Sequence, residues 1–273
     1  QKKILHIFNS KFVLDKREVE NLPIGLFGDF YSHELSFFLI NNNDYKNLNY
    51  IFNKCNLGIK KIISKSFIEG VSVSRINKNL NTFIEIEINE NNIELMYFDN
   101  LTLKFKQNFK FGHRLILNDI SKVTGLGKDL IENILENANL SSNHNDNELI
   151  ENKFFGKQNF RKIKKKLIIE IAEARIQELA DIILFKNINL FSFLKKNLMF
   201  LVKINKKTTI DFFEKNFETI FSKNSTYKVK FVRIDSSNFF DDLNSIVQYG
   251  WKNEAVPIIQ PKKSFIVKFF DLF

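Results

Sequence analysis

The residues with the clearest claim to chemistry lie between positions 83 and 119. Phe83-Ile84-Glu85-Ile86-Glu87-Ile88 alternates as a half-buried strand does. Asn89-Glu90-Asn91-Asn92 makes a turn, and 93–98 and 101–106 read as two more strands, joined by a turn at Asp99-Asn100. Such a hairpin cradles phosphate when its first turn is rich in glycine, because backbone N–H groups then approach the oxygens closely. This turn carries Asn and Glu instead. The segment is either an ordinary meander or a nucleotide-binding hairpin that has lost its cradle. Glu85 and Glu87 share one strand face and read as a solvated edge rather than a pair of acid–base carboxylates.

Conventional catalytic patterns are absent from the sequence. His6, His33, His113 and His144 are far apart, without ligand spacing, and no GxSxG, Walker A or HExxH motif occurs. Arg161-Lys162-Ile163-Lys164-Lys165-Lys166 precedes a helix, where positive charge opposes the macrodipole. It reads as solvated charge, or as a patch for an anion or a peptide. Near the chain end, Phe265, Ile266, Phe269, Phe270, Leu272 and Phe273 fill one arc of a helix, with Lys262 and Lys263 just before it and Lys268 and Asp271 opposite. That pattern suits an amphipathic helix in a membrane interface. It suits equally a terminal helix docked on the protein's own core.

The elements that would position these residues follow from periodicity. Strands are expected at 4–14 and 33–40. Asp44 is the expected N-cap of a short helix whose stripe of Leu48, Ile51, Phe52 and Cys55 covers one face of that sheet. Gly58 stops it, 59–67 returns as a strand, and 66–80 connects to the meander. Residues 119–137 read as helical with a break at Gly125-Leu126-Gly127, and the Asn-rich 141–160 as a long surface loop or a disordered insert. Residues 167–184 form the strongest helix, burying Ile168, Ile171, Ala172, Leu179, Ile182 and Ile183. A buried strand at 199–204 precedes a helix with Ile210, Phe213, Phe217, Ile220 and Phe221 inward, opened by an approximate capping box of Thr208 and Asp211. A strand at 227–234 completes a strand–helix–strand unit typical of an α/β sheet.

The 273 residues suffice for two to four compact subdomains. One cysteine excludes an intramolecular disulfide, and no stretch resembles a signal peptide or a spanning helix, so a cytosolic protein is expected. The formal charge of +10 invites a nucleic-acid reading, but the lysines are spread along the chain and read as a basic solvated surface.

The order of several motifs then resembles a known family. These are Ile4-Leu5-His6-Ile7-Phe8 through Phe12-Val13-Leu14-Asp15, the helix from Asn47-Leu48 to Leu57-Gly58-Ile59, and Glu87 through Glu94 at the second phosphate motif. Gly112-His113 with Asn118-Asp119-Ile120, Ile171-Ala172-Glu173-Ala174-Arg175 through Glu178, and Phe200 through Asn205 at the adenosine motif follow. In this order the chain resembles the bacterial actin-like division proteins of the FtsA family, whose first phosphate motif would precede residue 1.

The resemblance implies an α/β, actin-like (ribonuclease H-like) fold with an inserted SHS2-type α+β subdomain. That subdomain would be 1–65 and 66–80 a connecting segment of the first lobe. The second lobe would comprise 81–117 and 196–250 with an inserted subdomain at 118–195, and 251–273 would be the tail. It implies a non-enzymatic adaptor at the cytoplasmic face of the bacterial inner membrane, at the division site. Its tail (Lys262, Lys263, Phe265, Ile266, Phe269, Phe270, Leu272, Phe273) would bind the membrane, and Arg161, Lys164, Lys165 and Lys166 the acidic C-terminal peptide of FtsZ. Self-association and contacts with other division proteins through the SHS2-type subdomain are implied too, and no nucleic acid. The family's ATP and Mg²⁺ would meet Glu87, Asn89, Gly112, Asn118, Arg175 and Glu178, a set without its glycines, so no cofactor is expected. The alternatives are an active actin-type ATP-binding polymerising protein, with Glu87 organising Mg²⁺, and a basic nucleic-acid-binding protein.

Overall fold

The computed structural model describes residues 1–76, 80–138, 140, 147–156, 159–193, 198–204, 211–223, 228–231, 237–249 and 254. The chain divides into two compact units: Gln1–Asn81 with Asp99–Lys104 and Asp235–Phe273, and Thr82–Phe98 with Phe105–Ile234.

In the first unit, β1 (Lys2–Leu14), β2 (Arg17–Val19) and β3 (Tyr31–Asn41) form an antiparallel sheet in the order β2-β1-β3. The β1–β2 turn places Asp15 and Lys16 at φ 48° and 69°, the twist that tight hairpins favour. On the inner face Phe8 packs against Phe67, ring centroids 4.7 Å apart. Beside them His6 is buried, its Nε2 accepting from Ser64 N at 3.1 Å, so its Nδ1 carries the proton toward Glu254 Oε1 at 3.2 Å. Burial would raise the Glu254 carboxyl, but hydrogen bonds from His6 and Lys61 outweigh it and hold the group below its ordinary value.

Three expectations fail here. First, helix α1 (Asn42–Lys54) begins after Asn41, which is still extended, so Asp44 lies in the first turn instead of capping it. Second, α1 buries none of its residues; Ile51, Phe52 and Cys55 are exposed, because the helix touches the sheet only loosely. Third, 59–67 does not return as a strand. Helix α2 (Lys65–Ile76) starts there instead, with Phe67 N and Ile68 N donating to Ser64 O, and it runs through most of the expected connector. The long helix α8 (Ser237–Tyr249) was also not foreseen. Its buried Asp242 accepts hydrogen bonds from Ser72 and Arg75 of α2.

The second unit is built on β4 (Phe83–Ile88), β5 (Ile93–Asp99), β6 (Thr102–Phe109), β7 (Met199–Ile204) and β8 (Lys228–Phe231), in the order β6-β5-β4-β7-β8. The hairpin meander is as the periodicity predicts, and β4 pairs antiparallel with β5 but parallel with β7. Parallel neighbours require crossovers, and helices supply them. Between β6 and β7 come α3 (Arg114–Thr124), α4 (Lys128–Asn137), α5 (Lys165–Ala180) and the short α6 (Ile188–Phe191); α7 (Asp211–Ser222) links β7 to β8.

Ile84, Ile86 and Ile88 meet Ile116, Ile120, Ile131, Ile168, Ala172 and Phe217 in one core. Every residue of β4 is buried, Glu85 and Glu87 included, so the solvated-edge reading is wrong: β4 is the central strand. Helix α3 starts at Arg114, ahead of the expected 119, and Gly125 at φ 67° ends it. Within the expected surface loop, Ile150 and Phe155 are buried and Leu149 bridges Lys164, while the other described residues of 147–156 stay exposed or half-buried. Ile182 is exposed whereas Ile176, absent from the expected face, is buried. Thr208, Ile210 and the tail 262–273 lie outside the described residues.

Ile86, fully buried in the central strand, is the sharpest probe of this core. Ile86→Ala is expected to cost about 2–5 kcal/mol, read as a lower urea midpoint with an unchanged denaturant slope.

Candidate functional site

The candidate nucleotide residues gather around one junction, where the β4–β5 turn meets the start of α3. His113 N donates to Asn89 O at 3.1 Å and Arg114 N to Glu90 O at 3.1 Å. A helix start normally leaves its first N–H groups free for an anion. Here the turn's carbonyls accept from them. Gly112 makes this approach feasible: a Cβ at that position would collide with the carbonyl oxygens of Asn89 and Glu90. Glu90 and Arg114 add an ion pair at 3.2 Å across the same junction. The turn residue Glu90 is legible in the sequence but its pairing with Arg114 is not, because no local pattern links a turn residue to a helix start so far along the chain.

His113, read from the sequence as a histidine without ligand spacing, is buried at this junction, and its Nε2 has no hydrogen-bond partner. Burial holds its imidazole below the ordinary value near 6.5, with the charge of Glu90 pulling the other way.

Glu87 and Asn89 stand at the end of β4, Gly112 and Asn118 before and on α3, and Arg175 and Glu178 on α5. Arg175 is engaged: its guanidinium donates to Asp119 of α3 and to Glu178. The Asp119 bond, the largest influence, holds the guanidinium above its ordinary value. It therefore ties α5 to α3 and is not directed to a nucleoside. Glu87 lies 3.5 Å from Lys203, its register partner on β7, while Glu94 on β5 pairs with Lys106 at 2.8 Å.

The basic run is largely committed as well. Arg161 donates to the carbonyls of Thr124 and Gly125 at 3.2 and 3.1 Å, closing the end of α3. Lys164 donates to Asn147 at 2.9 Å. Lys165 is buried against Glu148 at 2.6 Å, and Lys166 is also engaged, so this run is not simply a solvated patch. Buried charge must be paired, which decides the role of Lys165.

A triphosphate needs converging backbone donors and unengaged cations. At this junction the helix-start amides are taken, Glu90 adds negative charge, and Arg175 and Lys203 are held by carboxylates. The described residues do not fit a nucleoside triphosphate. Asn205, at the adenosine motif, lies outside them.

No family model matches the chain, and no curated protein does. Solved structures do. MreB5 of Spiroplasma citri bound to AMPPNP superposes with a TM-score of 0.50 at 15% identity, over 77% of this chain and 65% of that one. The same protein bound to ADP gives 0.50 and 15%, over 77% and 66%. The ethanolamine utilization protein EutJ from Carboxydothermus hydrogenoformans gives 0.43 at 8%, over 70% and 57%. The chain therefore spans 57–66% of the length of these structures. The fold is actin-like, of the ribonuclease H-like class. At such identity the likeness carries the fold alone.

Two outcomes test the junction. Gly112→Ala is expected to destabilise by about 1–3 kcal/mol through overpacking, read by urea unfolding. Because His113 binds its proton less readily folded than unfolded, its contribution is full above about pH 6.5 and is lost as pH falls through the folded-state value. His113→Gln is expected to flatten the fall in stability between about pH 7 and 5.

Proposed function

We propose that this chain is an actin-like scaffold that holds partners together and does not turn over nucleotide. More specifically, it is a division adaptor that tethers FtsZ filaments to the cytoplasmic membrane and recruits further division proteins. The observation that carries the scaffold reading is the β4–β5 turn packed onto the start of α3 through Asn89, Glu90 and Gly112. The order of motifs resembling the FtsA family supports the division role. Of the basic run, the exposed Arg161, Lys164 and Lys166 remain candidates for an acidic FtsZ peptide, whereas Lys165 is buried. The membrane contact is assigned to the tail at 262–273.

A second reading, an ATP-binding polymerising protein, draws on the MreB5 neighbour solved with AMPPNP and with ADP. Titration of the full chain with Mg²⁺-ATP by calorimetry separates the two. No heat of binding is expected, and micromolar affinity would overturn the scaffold reading. For the division role, FtsZ C-terminal peptide is expected to float with vesicles only when the chain is bound to them. Peptide left behind while the protein floats would overturn the tethering role.

A further inference from the structure

Helix α1 exposes the stripe that its own spacing would suit to a core. Ile51 and Phe52 are 58% and 41% exposed, and Leu57, just past the helix end, is 56% exposed. Tyr50, one turn from both Lys46 and Lys54, is 61% exposed, with Lys54 Nζ 4.7 Å from its ring centroid. Lys60 follows, also exposed, and Asp44 is the lone acid between 42 and 60. The segment 42–60 therefore combines exposed apolar side chains with several lysines and a single acid.

That combination selects a partner by charge complementarity. An apolar stripe alone would suit many surfaces, but lysines beside it favour an anionic one. Lysine stems can lie along the apolar stripe while their ammonium groups reach outward. A convex helix so arranged matches the boundary between headgroups and acyl chains of an anionic bilayer.

We propose that α1 is a membrane contact in its own right, placing Ile51, Phe52 and Leu57 at the acyl boundary and Lys46, Lys54 and Lys60 among anionic headgroups. This extends the membrane location proposed above but does not depend on the tail.

The test uses the full chain in four forms: unchanged, Phe269→Glu with Phe270→Glu in the tail, Ile51→Glu with Phe52→Glu in α1, and all four substitutions together. Each is floated with vesicles of phosphatidylglycerol and phosphatidylcholine, and with phosphatidylcholine alone. The tail variant is expected to remain bound to the anionic vesicles and to be released by salt. Adding the α1 substitutions to it should lower binding by about tenfold or more. Lys46→Glu with Lys54→Glu in the tail variant should do the same. The substituted α1 side chains are exposed, so circular dichroism should be unchanged. Tyr50→Trp with Trp251→Phe should give a blue-shifted emission on anionic vesicles.

The proposal is overturned if the tail variant does not bind anionic vesicles, if the four-site variant binds as well as the tail variant, or if neutral vesicles bind equally. It is also overturned if vesicle binding fails while the α1 substitutions weaken capture of the FtsZ peptide, which would make α1 a peptide face. The tail reading is judged separately, by comparing the α1 variant with the four-site variant.

Discussion

Two backbone hydrogen bonds, from His113 and Arg114 to the carbonyls of Asn89 and Glu90, hold the central hairpin to the first helix of the second unit. They depend on Gly112 having no side chain, since any Cβ would push the turn away. From this junction α3 is placed over the Ile84-Ile86-Ile88 face, and Asp119 of α3 takes the Arg175 guanidinium of α5. Arg161 closes the other end of α3. A single close approach thus orders a chain of elements. The same groups that hold the helices together are the ones a phosphate would need.

Charge is used in the same way. The net +10 suggests a surface in search of an anion. Yet Lys165, Lys203, Lys106 and Arg175 each face a carboxylate, and Lys165 does so while buried. Pairs of this kind add little net stability over an apolar replacement, but removing Glu148 would leave the buried Lys165 without its carboxylate. They restrict which strands and helices can be neighbours more than they strengthen the fold.

The first unit shows the opposite economy. Its sheet packs His6 and Phe8 against Phe67 on one face, while α1 leaves Ile51 and Phe52 in solvent. Core and exposed apolar surface thus lie within one small unit.

Much of the architecture was legible in local pattern. The three-strand meander, the strand at 199–204, the break at Gly125-Leu126-Gly127 and the strong helix expected from 167 follow from period and from turn residues, which act through backbone conformation alone. The missing glycines at 89–92 were equally readable. What local pattern cannot supply is a neighbour. Glu85 and Glu87 alternate like edge residues, but β7 pairs alongside β4 from far along the chain and buries them. The apolar stripe of α1 looks like a core face, yet whether it is covered depends on how the helix sits on its sheet. The pairing of Glu90 with Arg114, and the commitment of Arg175 and Lys165, exist only once distant segments meet. Sequence by itself determined most strands and helices of the second unit and that the phosphate turn lacks glycine, but not α2 or α8 of the first unit. Tertiary structure alone decided which charges are buried, which apolar stripe stays exposed, and what fills the start of α3, because each depends on contacts between residues remote in the chain.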